Sequence, residues 1–187
     1  EERPAEPGWR DLMSRSLETM QRQLTRFHLS VHEPDLLIRI PRNACAFYEF
    51  HRAAELIARL HLHPHPEGGF YAEVHRSPAT VDALDGRPHR AALTSIYFLL
   101  PAGTISRWHR VLSDEVWCHL EGAAIDLHVL DASQPSAHTI ALGPVSADSL
   151  PQHTVPAGAW QAARSRGAYS LAACMFAPGF DFADFSL

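Results

Sequence analysis

Two hydrophobic rhythms divide this chain. Trp9, Leu12, Met13, Leu17, Met20, Leu24 and Phe27 recur at helical spacing and predict an amphipathic helix from about Trp9 to about His28. Pro34 and Pro41 interrupt the next stretch. Ala46–Leu60 is helical again by pattern, with Phe47, Phe50, Leu56, Ile57 and Leu60 on one side. After His63-Pro64-His65-Pro66 the rhythm changes to short runs of strand length. These cover Gly69–His75, Ala92–Leu100, Ile105–Val111, Glu115–Glu121, Ala123–Leu130, His138–Leu142, Gln152–Val155, Gln161–Arg164 and Ser170–Phe176. Turn signals separate them at Asp85-Gly86, Pro101-Ala102-Gly103, Glu121-Gly122, Ala157-Gly158 and Pro178-Gly179. Many short strands without an internal repeat predict one all-β barrel or double-sheet jelly roll, not two. The expected organisation is a helical extension over residues 1–50 and a barrel domain over 51–187.

Composition narrows the function. The chain has 187 residues, 46% of them hydrophobic and 20% charged, as expected of an ordinary globular protein. A formal net charge of -5 and the lack of Lys/Arg runs argue against nucleic acid as a partner. Cys45, Cys118 and Cys174 are odd in number and widely spaced, which disfavours a disulfide framework or a zinc knuckle. No apolar run approaches the roughly 18 residues of a membrane span. The acidic, Pro-containing start lacks the order of a signal peptide, so a cytoplasmic location is expected.

One stretch carries chemistry. Residues 103–122 read GTISRWHRVLSDEVWCHLEG. Gly103, His109, Glu115 and Gly122 fall on the spacing of the first cupin motif, but Val111 stands where the second His belongs. Pro156 and Gly158 fit the second motif, with Gln161 in place of its His. Other segments point the same way: HPHPEGGFYAEVHRS (63–77), TSIYFLLPAGTISRWHRVLSDEVW (94–117), LHVLD (127–131), VPAGAWQAA (155–163) and APGFDFADF (177–185). Together they resemble the cupin family of small single-domain proteins once catalogued as a domain of unknown function, from about Leu56 to Leu187. The resemblance implies a homodimeric jelly roll with a pocket in the barrel, and no settled reaction. Cys118 and Leu120 depart from the His or aromatic residues expected there.

Strand alternation places His109, Val111 and Arg107 on one face, and Glu115, Trp117 and His119 on another inward face, with Gln161 arriving from a neighbouring strand. A His beside a carboxylate suits general acid–base chemistry, so His109 and Glu115 are the candidate catalytic pair. Tyr97 is a candidate acid, because the related epimerases work with a Tyr opposite a His. Arg107, Trp117, His119 and Gln161 are candidate substrate-binding residues, Arg107 for a carboxylate or phosphate. His109, Glu115 and Gln161 are also a possible three-point set for a divalent metal ion. The expected cofactor is therefore none or one divalent ion, and the expected partner is a small polar metabolite. Three functions stay open: an isomerase, epimerase, cyclase or lyase, a metal-dependent oxygenase or lyase, and a non-catalytic binding module. His61, His63 and His65 read as a turn into the first strand. Glu73, Arg76 and Ser77 read as a salt-bridged strand end or pocket rim, and Trp108 and Trp160 as core or dimer-interface residues.

Overall fold

The computed structural model describes Met20 and residues 47–131 and 136–187, and all but Met20 belong to one compact unit, Pro41–Leu187. The helix expected from Trp9 to His28 lies outside the described residues, Met20 apart. Helix α1 (Phe47–Arg59) follows its hydrophobic pattern and straddles the expected boundary at residue 50. Nine longer strands lie close to the expected runs. They are β2 (Phe70–Arg76), β5 (Thr94–Pro101), β6 (Ile105–Val111), β7 (Asp114–Gly122), β8 (Ile125–Leu130), β9 (His138–Leu142), β10 (Gln152–Val155), β11 (Trp160–Ser165) and β12 (Tyr169–Ala177). The pattern did not reveal four two-residue strands, β1 (His63–Pro64), β3 (Thr80–Val81), β4 (Arg90–Ala91) and β13 (Phe185–Ser186). Two residues are too few to show alternation.

Two antiparallel sheets form the barrel, one ordered β1-β2-β5-β12-β7-β10 and the other β13-β6-β11-β8-β9. Their inner faces enclose a core that includes Phe98, Leu100, Trp117, Ile125, Leu127 and Phe176. Along β5, Phe98 and Leu100 point inward while Leu99 points outward. Sheet alternation thus supplies a second apolar face, and α1 covers it with Ala53 and Leu56 against Leu99 and Leu171. Each fully buried leucine here contributes about 1.5–3 kcal/mol. A polar clamp fixes the helix: Arg52 donates to both Glu121 oxygens (2.7 and 3.0 Å), and the Tyr169 hydroxyl donates to Glu121 at 2.7 Å.

The chain's last residues are tied down by a buried charge. Asp184 accepts a two-pronged contact from Arg90 (2.8 and 2.9 Å) and a third hydrogen bond from Arg87 (2.9 Å). Strand β13 then pairs with β6. This anchors the segment Phe180–Phe182 against the mouth of the barrel.

Candidate active site

A cavity of about 310 Å³ opens into the barrel. Strand β5 contributes Ile96 and Phe98, β6 His109 and Val111, β7 Glu115 and Trp117, and β12 Cys174 and Phe176. Strand β2 and the C-terminal segment close it with Tyr71, Glu73 and Arg76 on one side and Phe180, Asp181 and Phe182 on the other. Further polar groups come from the turn between β1 and β2, which places His65 and Glu67 in the same cavity.

That turn is built by glycine. Gly68 has φ +115°, and a Cβ there would lie 2.1 Å from the Ile105 carbonyl oxygen. Gly69, at φ +70°, is close as well, its Cβ position 2.8 Å from the Leu99 carbonyl oxygen. Only residues without a Cβ fit so close to the neighbouring strand. The close approach lets the Arg107 N–H donate to the Glu67 carbonyl at 2.8 Å. The Glu67 side chain is thereby held inward and is nearly fully buried.

Strand β6 carries a bulge that changes the expected faces. His109 pairs with Gln161 and Ser106 with Ala163, so three steps on β6 oppose two on β11. Ser106 and His109 are both buried, while Arg107 and Trp108 are both exposed. The expectation that Arg107 shares a face with His109 is therefore corrected: its guanidinium donates to the Pro66 and Glu67 carbonyls at the rim of the turn. Trp108 is exposed beside His128 rather than in the core, and Trp160 stacks under Arg110.

The carboxylate partner of His109 is Glu67. Glu67 Oε2 lies 3.2 Å from His109 Nε2 and 3.4 Å from His65 Nδ1, and Ser106 Oγ donates to Oε1 at 2.8 Å. Backbone contacts fix both imidazoles. His109 Nδ1 lies 2.8 Å from the Arg107 carbonyl, which can only accept, so Nδ1 carries the hydrogen and Nε2 the lone pair. His65 Nδ1 accepts from the Glu67 N–H at 3.3 Å, so it too presents a lone pair. The His65 lone pair is taken by the Glu67 N–H, and with a neutral His109 ring a proton on Oε2 meets the remaining lone pair, on Nε2. Burial acts in the same direction. It raises the Glu67 carboxyl well above its ordinary value, with the nearby Glu115 adding to the effect. Burial also lowers both His65 and His109 from 6.5 to about 4. Burial and hydrogen-bond geometry both favour a protonated Glu67 beside two neutral imidazoles.

Glu115 forms the second acidic centre. Gln161 donates to its Oε2, and the Trp117 indole N–H holds the amide by donating to Gln161 Oε1 at 3.0 Å. Burial raises the Glu115 carboxyl from 4.5 to about 7, against the opposing pull of the Gln161 hydrogen bond.

The expected site residues thus separate. His109, Glu115 and Trp117 line the cavity, and Gln161 stands behind Glu115 as its donor. Tyr97 lies on the opposite face of β5, in the cluster under α1. His119 is two positions past Trp117, and its Nε2 donates to the Ala123 carbonyl at 3.1 Å, away from the cavity lining. Glu73 and Arg76 do form a salt bridge, at 2.6 Å, on the rim. The sequence identifies His65 only as part of a turn into the first strand and gives Glu67 no role in the site. The available signal was a Glu flanked by His-Pro and Gly-Gly, a turn whose glycines force a charged residue inward.

The metal set expected from His109, Glu115 and Gln161 does not fit this geometry. Gln161 Oε1 is occupied by Trp117, Val111 offers no donor, and His109 Nε2 faces Glu67. Among the described residues no group of three or more His, Cys, Asp or Glu is arranged to hold a metal ion.

An antiparallel double-sheet barrel with one mouth and a buried polar cluster defines the jelly-roll class. Within that class, the chain belongs to the family described as Cupin superfamily (DUF985), whose model matches residues 54–187. Its solved relatives include a hypothetical protein from Leishmania major, 38% identical, with a TM-score of 0.68 over 72% of this chain and 86% of that one. Another is a protein from Shewanella oneidensis, 35% identical, with a TM-score of 0.65 over 72% and 83%. The chain is also similar to an uncharacterized NTE family protein of Mycobacterium tuberculosis, 44% identical over 48 residues, or 26% of this chain. It spans 13% of the length of that curated relative. No helix among the described residues is long and apolar enough to cross a membrane.

Proposed function

We propose that the cavity binds a small polar metabolite and moves protons on it, in chemistry of the isomerase, epimerase, cyclase or lyase kind. The observation that carries this reading is the pairing of two buried carboxyls, Glu67 and Glu115, whose surroundings differ. An ionisable group is costly to bury, and paired groups with separated pKa values mark an acid and a base. Glu67, protonated over His109 Nε2, is the acid. Glu115, raised to about 7, is partly ionised at neutral pH and is the base. For a ligand with a C–H beside a carbonyl, Glu115 takes the carbon-bound proton. The C–H electron pair becomes the C=C of an enol, and the carbonyl oxygen takes the Glu67 proton. Reversal from the same or the opposite face returns both protons. His109 positions the Glu67 proton, and Ser106 holds the other oxygen. The original pairing of His109 with Glu115 becomes a three-group arrangement in which Glu67 stands between the imidazole and the ligand.

The test is isotope wash-in. The full chain is incubated in D₂O with a panel of small carbonyl compounds, and loss of C–H signal is followed by proton NMR. Exchange of at least one compound is expected, falling about a hundredfold or more in Glu115→Gln and in Glu67→Gln. The rate should rise with pH through about 7 as Glu115 ionises. Ligands that bind and raise the melting temperature, with no exchange in any case, would replace catalysis with simple binding.

A further inference from the structure

We propose that the ligand of this cavity is a small organic cation, an amine or guanidine with a compact apolar body. This deepens the preceding section and rests on its reading of the cavity as the ligand site. The first argument is charge. Four carboxyl side chains line the space: Glu67, Glu73, Glu115 and Asp181. A single guanidinium, Arg76, lines it too, and that group is already engaged. Arg76 donates to both oxygens of Glu73 (3.1 and 2.6 Å) and to the Phe180 carbonyl (3.2 Å). The two imidazoles present lone pairs rather than N–H groups to the Glu67 carboxyl, as their backbone contacts require. Arg107, the residue expected to meet an anion, is turned out to the turn carbonyls by the β6 bulge. A carboxylate or phosphate entering the barrel would thus meet acids and no free cation.

The second argument is the wall. Tyr71, Phe98, Trp117, Phe176, Phe180 and Phe182 line the same space. Aromatic faces carry negative potential and attract a desolvated cation, most strongly in enclosed sites. Phe182 is half exposed and sits 5.0 Å from Phe180 by ring centroids, so the mouth itself is aromatic. With Glu67 protonated and Glu73 paired to Arg76, Glu115 and Asp181 are the acids left to meet an ammonium group, with rings around them. At about 310 Å³ the cavity lies at the small end of ligand sites, which limits the body of the ligand to about one ring.

The test uses three probes of one shape and three charges: benzylamine, benzyl alcohol and benzoate. Each is titrated calorimetrically into the full chain at neutral pH. Benzylamine should bind about tenfold more tightly than benzyl alcohol, and benzoate should give no heat. Glu115→Gln should bring the amine and alcohol affinities together through a loss of amine affinity. Glu73→Gln, a rim substitution outside the buried cluster, frees Arg76 and should let benzoate bind. Benzoate binding to the unaltered chain as tightly as the amine, equal binding of amine and alcohol, or no binding of the amine at millimolar concentration would each overturn the proposal. The two readings fail separately. Isotope wash-in without an amine preference removes the ligand class and keeps the acid–base chemistry. An amine preference without wash-in does the reverse.

Discussion

Replacing Glu115 with Gln keeps the shape of the side chain and deletes its titration. Burial raises this carboxyl from 4.5 to about 7. A carboxyl whose folded pKa exceeds its unfolded value binds more protons when folded, over the interval between the two. Its stabilising contribution is full below about pH 4.5 and is lost as pH climbs through about 7. The gap between 4.5 and about 7 corresponds to about 3 kcal/mol, at about 1.4 kcal/mol per pH unit. The variant has no such loss. Stability of Glu115→Gln relative to the unaltered chain should therefore increase by about 3 kcal/mol between about pH 4.5 and about pH 8. Urea unfolding followed by circular dichroism at closely spaced pH values measures it. His65 and His109 work in the opposite sense. Their folded values, about 4, lie below 6.5, so their contribution is present above 6.5 and lost as pH falls through about 4. Both proteins contain them, so the difference between the two curves removes them. A flat difference would refute the reasoning, as would one in which the unaltered chain gains with rising pH. The first would mean a Glu115 carboxyl with no shift on folding, the second one held as a stabilised carboxylate.

Other substitutions test other links. Glu67→Ala leaves Ser106 Oγ and His109 Nε2 without their partner and should cost about 3 kcal/mol, whereas Glu67→Gln, which mimics the protonated acid, should cost under about 1 kcal/mol; thermal melts separate them. Equal losses in the two variants would show a charged Glu67. Gly68→Ala meets the Ile105 carbonyl and an unfavourable positive φ, so a loss of more than about 2 kcal/mol is expected, read by the same melts. The homodimer is proposed on the family resemblance and on the apolar residues left on β6, with Ile105 and Trp108 exposed. Light scattering at micromolar concentration should return twice the monomer mass, and a clean monomer would count against it.

The barrel was readable because alternation works wherever one strand face is buried. Nine runs in the pattern correspond to nine strands, three of them, Ile105–Val111, His138–Leu142 and Gln152–Val155, at the same bounds. The site was less readable, for two physical reasons. Alternation assumes an unbroken pleat, and the bulge in β6 moves Arg107 outward while bringing Ser106 in beside His109. Spacing also says nothing about a turn folded back across a sheet. Glu67 is far from His109 in sequence, and only the two glycines after it hint at the close approach that joins them. Phe180 and Phe182 line the cavity, and Phe185 packs on the His109 ring at 5.6 Å.

The protonation of His109 tests the central claim most directly. Long-range proton–nitrogen correlation NMR on the ¹⁵N-labelled chain distinguishes a neutral imidazole from an imidazolium and identifies its tautomer. A neutral ring, hydrogen on Nδ1 and lone pair on Nε2, should persist from about pH 8 down to about pH 5, because its protonation waits until about 4. The same spectrum in Glu67→Gln should keep that tautomer. An imidazolium at neutral pH would mean that Glu67 and His109 form an ion pair. No protonated acid would then face the ligand, and the acid–base account of the cavity would fail.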